Sequence, residues 1–346
     1  MKKICLGAES AALVTDYLTR KYLSGVDVSE GYLVSTKNTQ TYFTDARYFY
    51  AAKPMVEKEG YTALLYRDFL NIKDYLTSLG ITKLYVDYSR VTVKEFKVYS
   101  EWFEMHDLSV ELDKMRAKKD QSELTNIKKA CEIAQYAYHT AIKSVKRGIT
   151  ELELKDLIEK LMMDKGAEGT SFDTIVAFGA NAAVPHHVTG GAALEDNQCI
   201  LIDMGCKVNG YCSDITRTAF FGTPSEKFTK CYDAVLRANL NAIENITCGT
   251  LAVDADAFAR NSLKKDGLSE YFTHSLGHGV GLEIHEYPTL SPRKKDALSD
   301  GTVFTIEPGV YFDGEFGIRI EDTVVLSGGK VERLFTDNKE LLIINS

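Results

Sequence analysis

His274-Ser275-Leu276-Gly277-His278-Gly279-Val280-Gly281-Leu282-Glu283-Ile284-His285-Glu286 holds three of the chain's seven histidines beside three glycines. Glycine is permissive in backbone angle and lets other groups approach closely. In a helix, Gly279 and Gly281 would each cost roughly 1 kcal/mol against alanine. The stretch therefore reads as a loop leading into a short strand, Leu282 to His285, so His278 and His285 are not two ligands on one helical face. A glycine turn with incidental histidines is the plainer alternative. Acidic pairs elsewhere in the chain decide against it.

The first pair is Asp203 and Asp214. Gln198 to Gly205 and Tyr211 to Phe221 read as strands, and the Asn209-Gly210 between them is a strong hairpin signal. With those two residues as the loop, Val208 faces Tyr211 and Asp203 faces Thr216. Asp214 then shares a sheet face with Asp203 as a diagonal neighbour, roughly 7–8 Å away at Cα. Two carboxylates so placed repel unless something positive lies between them. Ile200-Leu201-Ile202-Asp203-Met204 is apolar apart from the aspartate, and a carboxylate is rarely buried there without a partner.

Glu307 and Glu321 form a second pair. Glu307 ends the apolar strand from Thr302, and Glu321 interrupts the one from Gly317 to Val325. A two-residue Asp313-Gly314 turn would put Glu307 opposite Ile320 and Glu321 on the other face. Both point into one site only if a bulge or an odd-length loop intervenes, with Pro308-Gly309 a natural place for it.

Four carboxylates and one imidazole make a hard, oxygen-rich set. It suits Mn²⁺, Co²⁺ or Zn²⁺ in a two-metal site better than a structural zinc site, which favours Cys and His. Two such ions can lower the pKa of a shared water and clamp a tetrahedral intermediate. Salt bridges to Arg217 and Arg319 are the bland alternative for any one of these carboxylates.

Around this site the chain divides near Leu112 to Asp120. Residues 1–112 read as a small α/β unit. Its strands are expected at Gly31 to Ser35, Thr41 to Thr44, Tyr61 to Tyr66 and Lys83 to Asp87, with a helix at Asp68 to Leu79 and mixed helical periodicity over Ala11 to Leu23. Alternating strands and helices imply a partly parallel sheet. Asp45-Ala46-Arg47-Tyr48 is a polar spot or simply a capped helix start. Lys114, Arg116, Lys118 and Lys119 make a charged link.

From 120 to 346 the layout repeats. A helix over Gln121 to Val145 is stopped by Gly148, and a capping box at Thr150 and Glu153 opens a second, ending near Gly166. Helices over Ser225 to Ile246 and Val253 to Lys265 are separated by Gly249, and each helix pair precedes a sheet portion. Residues 120–346 thus read as two similar halves.

Composition sets outer limits. The chain has 346 residues, is 45% hydrophobic and 26% charged, and carries a net charge of −8, which suits a two-domain globular protein and argues against nucleic acid as a partner. No apolar run approaches the ~20 residues of a membrane span. Met1-Lys2-Lys3-Ile4-Cys5 begins no signal peptide. An odd and scattered set of seven cysteines fits a reduced, cytoplasmic protein.

These motifs resemble those of the Xaa-Pro peptidases, prolidase and aminopeptidase P, in the pita-bread metallopeptidase family. The stretch 274–286 is similar to the family's signature along its length. So are the paired aspartates in Ile-Asp-Met-Gly and Ser-Asp-Ile-Thr-Arg, Thr305 to Tyr311, and Gly317 to Asp322. The match is strong over 120–346 and looser over the first 112 residues, which resemble a creatinase-like N-terminal domain. The resemblance implies an α+β fold, a pita-bread catalytic domain of two similar halves with a smaller α/β domain before it. It implies two divalent metal ions per chain, manganese first and cobalt or zinc as alternatives. Asp203 would bind one metal, His278 and Glu307 the other, and Asp214 and Glu321 both. Glu307 is also the expected proton acceptor. His186 and His285 would contact substrate and the developing oxyanion, Tyr311 would line the site, and Arg319 would hold Glu321 or Asp214 from behind. His187, beside His186, reads as an exposed loop histidine, and His274 has no assigned chemistry.

The implied activity is hydrolysis of the bond before proline, releasing the first residue of a peptide or dipeptide by a cytoplasmic homodimer. The rival readings are a strict Xaa-Pro dipeptidase and a non-enzymatic binding module that keeps the fold. Having all five ligands argues against creatinase. A dipeptidase needs a cation for the substrate carboxylate, and some prolidases place Arg just after the His-Glu-x-Pro run. That place here is Thr289, with Arg293 four residues on, which favours broader aminopeptidase action.

Overall fold

A computed structural model describes Ile4 and residues 6–345. The expectation placed on Met1 to Cys5 lies, Ile4 apart, outside them. The chain separates into two compact units, Met1–Arg116 and Ala117–Ser346. Among the described residues, no helix is long and apolar enough to cross a membrane.

The first unit is a six-stranded mixed sheet. Its strands are β1 (Ser10–Val14), β2 (Tyr32–Thr36), β3 (Gln40–Thr44), β4 (Thr62–Leu65), β5 (Lys83–Val86) and β6 (Glu104–Asp107), in the order β4-β3-β2-β1-β5-β6. β1–β5, β3–β4 and β5–β6 are parallel, and β1–β2 and β2–β3 antiparallel. Helices α1 (Tyr17–Ser24), α2 (Phe49–Lys58), α3 (Phe69–Ser78), α4 (Val93–Tyr99) and α5 (Ser109–Ala117) complete it. Leu13, Val34, Phe43, Ile72, Leu76 and Leu84 form its core. The helical expectation over Ala11 to Leu23 is half wrong, because Ser10–Val14 is a strand. All five of its residues are buried, so it shows no alternation, and a continuous apolar run does not distinguish strand from helix. At the polar spot, Asp45 accepts from the Arg47 amide at 2.8 Å and pairs with its guanidinium, a local turn ahead of α2.

The second unit repeats one plan twice. In the first half α6 (Gln121–Ala141) and α7 (Glu151–Asp164) precede β7 (Ile175–Phe178), β8 (Gln198–Met204), a short ribbon of β9 (Lys207–Val208) and β10 (Tyr211–Cys212), and β11 (Ile215–Phe221). In the second, α8 (Glu226–Asn245) and α9 (Ala252–Lys265) precede β12 (Gly277–Gly279), β13 (Glu286–Leu290), β14 (Val303–Ile306), β15 (Gly309–Phe312), β16 (Phe316–Arg319), β17 (Asp322–Ser327), β18 (Lys330–Arg333) and β19 (Leu342–Ile344). The hairpin β8–β11, with β7 beside β8, answers to β14–β17, with β12 beside β14. α6 and α7 bury Ile127, Ala134, Leu154 and Ile158 against β8 and β11. α8 and α9 bury Ala234, Val235, Ala238 and Ala259 against Phe304, Ile318 and Val324. Each fully buried Val, Leu, Ile or Phe contributes roughly 1.5–3 kcal/mol by leaving water. The capping box at Thr150 and Glu153 is present, with both reciprocal bonds.

Three expected strands differ, the first being Tyr211 to Phe221, which is interrupted at Ser213 and Asp214 between β10 and β11. The run Gly317 to Val325 is two strands, because Ile320 and Glu321 step from the β15–β16 pair into the larger sheet. The Glu321 amide donates to Thr216 O at 3.1 Å rather than to a neighbour in its own ladder. The expected strand Leu282 to His285 is a bend instead. The strands lie on either side of it, and His278 sits in β12 itself.

Candidate metal centre and active site

Thr216 faces Asp203 and Tyr211 faces Val208, the register expected from Asn209-Gly210. β7 pairs Ile175 with Asp203 on the other side. The two hairpins are then tied together. Thr216 Oγ1 donates to Glu321 Oε2 at 2.6 Å, Thr218 Oγ1 to Arg319 O at 3.0 Å, and Thr323 Oγ1 to Asp214 O at 2.7 Å. These bonds bring both acidic pairs to one cavity of about 590 Å³. Asp203, Asp214, His278, Glu307 and Glu321 all line it, and so do His186, His285 and Arg319.

His278 faces the carboxylates. Its Nδ1 lies 3.1 Å from Gly279 O, which leaves Nε2 3.3 Å from Glu307 Oε1 and 3.6 Å from Asp214 Oδ2. One ligand atom from each of Asp214, His278 and Glu321 fits within a 4.8 Å span. Gly277 and Gly279 make this strand placement feasible. A Cβ on Gly277 would meet Thr305 O at 2.0 Å, and one on Gly279 would meet Tyr287 O at 2.3 Å. Those glycines admit neighbouring backbone, not substrate.

The electrostatics are those of an anionic cluster short of positive charge. Burial, then the charges of Glu321, Asp203 and Glu307, push Asp214 well above the usual carboxylate range. Burial, then Glu307 and Asp203, do the same to Glu321. Burial also acts on Glu307, but the hydrogen bond and charge of His278 outweigh it and hold that carboxyl low. Burial lowers His285, helped by the neighbouring His278 charge; the two rings are 4.3 Å apart. Asp203 Oδ1 is buried with no hydrogen-bond partner, and an unpaired buried acceptor costs about 1–3 kcal/mol. An orphaned carboxylate oxygen beside three more carboxylates and an imidazole fits divalent cations that take oxygen donors.

Among the described residues that line this cavity, Arg319 is the one arginine or lysine. It does not hold Glu321 or Asp214 directly, as expected, but Asp203: Nη2 donates to Oδ2 at 2.7 Å. Its Nε donates to Thr216 Oγ1 at 3.0 Å, and that hydroxyl donates on to Glu321. Its Nη1 donates to Tyr311 Oη at 2.8 Å, and the same oxygen lies 2.9 Å from His274 Nε2. Tyr311 is therefore not among the cavity-lining residues; its hydroxyl is engaged behind Arg319. Arg217 pairs with Asp322 and Asp337 and not with the four site carboxylates.

Sequence reasoning missed the residues that support the histidines. Glu151 is fully buried and accepts from Phe178 N, Asn181 Nδ2 and Gly190 N at 2.9, 2.8 and 3.2 Å. His187 Nε2 lies 2.9 Å from the same carboxylate, so His187 is an anchor of the segment carrying His186 and not an exposed loop residue. Lys119, assigned to a charged link, is instead buried against Glu286 at 2.6 Å, next to His285. Only the histidine pair 186–187 and the acidic helix start at Glu151 pointed that way in the sequence.

A family model for metallopeptidase family M24 matches residues 125–327, which span both halves and every lining residue named above. The chain belongs to metallopeptidase family M24. Residues 8–118 match the creatinase/prolidase N-terminal domain. The chain is 36% identical to the Xaa-Pro dipeptidase of Pyrococcus furiosus, over 93% of this chain and 92% of that one. Among solved structures, the Xaa-Pro dipeptidase from Bacillus anthracis superposes with a TM-score of 0.92 at 33% identity, covering 96% of this chain and 95% of that one. The X-Pro aminopeptidase from Thermotoga maritima superposes at 0.88 and 34% identity, covering 97% of each. The pita-bread catalytic fold with its N-terminal domain is thus shared with these M24 proteins, and the chain is a metal-dependent peptidase.

Proposed function

We propose that the chain hydrolyses the peptide bond preceding proline, releasing the N-terminal residue of Xaa-Pro peptides. The observation that carries this reading is the convergence of Asp203, Asp214, His278, Glu307 and Glu321 on one cavity, with Asp203 Oδ1 left unpaired, in a chain whose M24 relatives are named Xaa-Pro peptidases. Two divalent ions held by those five residues would supply Lewis-acid polarisation of the scissile carbonyl and of a water. Glu307, oriented by the Thr305 hydroxyl at 3.0 Å, takes the proton from the attacking water and returns it to the proline nitrogen. His285 and His186 donate toward the carbonyl oxygen as charge develops on it. Arg319 keeps Asp203 and, through Thr216, Glu321 in place. A substrate proline offers no N–H, so its ring is read by apolar contact, for which the cavity supplies Phe172, Ile175 and Ile284. Manganese is the proposed metal, with cobalt or zinc as alternatives, supported by the oxygen-rich donor set. A cytoplasmic location is supported by the odd, scattered cysteines, and a homodimer by the family resemblance alone. Hydrolysis of Xaa-Pro peptides by protein stripped of metal and reloaded with Mn²⁺ tests the reading; full activity in the stripped protein rejects it.

One observation favours peptides longer than two residues. Past His274, Ser275 and Thr289 the cavity adjoins a second of about 690 Å³, which Arg260, Arg293 and Lys294 also line. Thr289 stands opposite His278 in the ladder, where a cation would be needed to hold the carboxylate of a dipeptide. Comparing Xaa-Pro with Xaa-Pro-Yaa decides: faster cleavage of dipeptides rejects this extension.

A further inference from the structure

The backbone carbonyls just before two of the cavity's carboxylates are bonded by a single buried amide. The ladder of β14 and β17 ends at the pair Ile306–Asp322, and that of β15 and β16 resumes at Gly309–Arg319. The residues between, which include Glu307 and Glu321, have no strand partner, so backbone groups flanking them need donors from elsewhere. Asn239, fully buried on α8, supplies two. Its Nδ2 donates to Ile306 O at 2.9 Å and to Ile320 O at 3.1 Å. Those carbonyls belong to the residues immediately before Glu307 and Glu321. Its Oδ1 accepts from Lys339 Nζ, and the same ammonium pairs with Asp322 Oδ2 at 2.7 Å, the residue immediately after Glu321. Lys339 is only 4% exposed.

Asparagine is otherwise out of place there. Its neighbours on the inward face of α8 are Val235, Ala238 and Ala242, and a buried amide is costly unless its groups are paired. An NH₂ group holds its two donors at a fixed angle, so two carbonyls bonded to it are held at a fixed separation. Lys339 in turn fixes the rotation of the amide and ties it to Asp322.

We infer that Asn239 and Lys339 are positioning residues that set the spacing of the Glu307 and Glu321 carboxylates, and so the affinity of the site for divalent metal. The inference rests on the proposed metal-binding role of those two glutamates. Asn239→Leu keeps the size and removes both donors; Lys339→Met keeps the stem and removes the charge; Lys339→Arg restores a cation. Mn²⁺ is titrated calorimetrically into metal-free full-length protein, with far-UV circular dichroism as the check on folding and kcat and KM on an Xaa-Pro-Yaa peptide as a second readout. Outer-sphere partners of metal ligands typically contribute 10–100-fold in metal affinity. Both apolar variants are expected to keep the wild-type spectrum, bind Mn²⁺ at least about tenfold more weakly and lose kcat more than they change KM, with Lys339→Arg closer to wild type than Lys339→Met. Wild-type Mn²⁺ affinity in folded Asn239→Leu overturns the inference. So does failure of both apolar variants to fold, which assigns the network to the core alone. If wild-type protein itself takes up no Mn²⁺, the metal-site reading has failed and the inference falls with it.

Discussion

Glu307 and Glu321 stand opposite each other across a break between two ladders that share one register. Ile306 pairs with Asp322 on one side of the break and Gly309 with Arg319 on the other, so the intervening glutamates meet face to face. Burial and the charges of Glu307 and Asp203 hold Glu321 well above the usual carboxylate range, which makes the metal-free cluster self-repelling. Glu321→Gln removes an ionisation that this buried, anionic setting disfavours, while its side-chain oxygen still accepts from Thr216. In metal-free protein it is expected to raise stability on the order of 1 kcal/mol, or about 2–4 °C in Tm. With Mn²⁺ added, it is expected to lose metal-induced stabilisation and at least about 100-fold in turnover, as for residues that tune a metal site. Thermal melts with and without Mn²⁺ read both effects. Near-native turnover would remove Glu321 from the metal centre.

Arg319 is fully committed, with Asp203, Thr216 and Tyr311 each within 3.0 Å of one of its nitrogens. Lysine cannot reproduce that planar fork. Arg319→Met strands Asp203 beside other anions, a change of the kind that costs about 3–5 kcal/mol in buried pairs. Arg319→Lys keeps the charge and is expected to recover most of that stability but little of the activity, since one ammonium nitrogen cannot reach partners spread over three guanidinium nitrogens. Chemical denaturation measures the first quantity and initial rates the second. Equal activity in Arg319→Lys and wild type would contradict the role given to the fork.

How much of this was written in the sequence depended on which residues set each turn. Asn209-Gly210 left no choice of loop, and the Asp203–Thr216 pairing followed from it. Asp313-Gly314 suggested the same two-residue turn, which would place Glu307 opposite Ile320, and only the need for both glutamates to enter one site called for a bulge or an odd-length loop. The loop has three residues, because Phe312 pairs with Phe316. Those rings lie 4.9 Å apart, and Phe316 packs on Phe228 of α8. A two-residue turn would set Phe312 against Glu315 instead; as built, Glu315 reaches Lys227 at 2.7 Å. Tertiary burial of an aromatic pair decided the register, and no local signal carries that. The same holds for Glu151, Asn239 and Lys119. Each is a polar residue whose partners lie far along the chain, so its burial was invisible until the fold was assembled. The ligand residues were legible for the opposite reason: acidic side chains inside apolar strands violate the local pattern, and such violations mark function.

His285 and His186 line the cavity without an assigned share in the metal cluster, so their loss should separate chemistry from metal binding. His285→Ala is expected to leave Mn²⁺ stoichiometry unchanged and to lower kcat by about 10²–10³, the range found for removal of one oxyanion donor. Elemental analysis and steady-state rates test this together. Loss of bound metal in His285→Ala would recast the residue as a ligand.

Glu151 accepts three N–H groups and the His187 ring. Glu151→Ala leaves those donors buried and unpaired, at about 1–3 kcal/mol for each that finds no water. Its expected signature is a lower Tm together with a rise in KM, because the 179–190 segment that presents His186 loses its anchor, while Mn²⁺ affinity is unchanged. A fall in metal affinity equal to that of a ligand variant would show that the segment supports the metal cluster instead.

Thr289 offers a gain-of-function test of substrate length. It lies on β13 opposite His278 and lines both cavities, so a cation there would sit beside the reacting groups and in front of Arg293. A charged hydrogen bond to a carboxylate is worth roughly 1.5–3 kcal/mol, which corresponds to about 10–100-fold in kcat/KM. Thr289→Arg is therefore expected to raise kcat/KM on an Xaa-Pro dipeptide by about tenfold or more relative to the matching Xaa-Pro-Yaa tripeptide. The tripeptide should lose, because its third residue must pass the new side chain to reach the second cavity. Arg293→Ala is expected to act in the complementary sense, weakening the tripeptide and leaving the dipeptide alone. If both variants keep the wild-type ratio of dipeptide to tripeptide cleavage, the second cavity plays no part in reading the substrate.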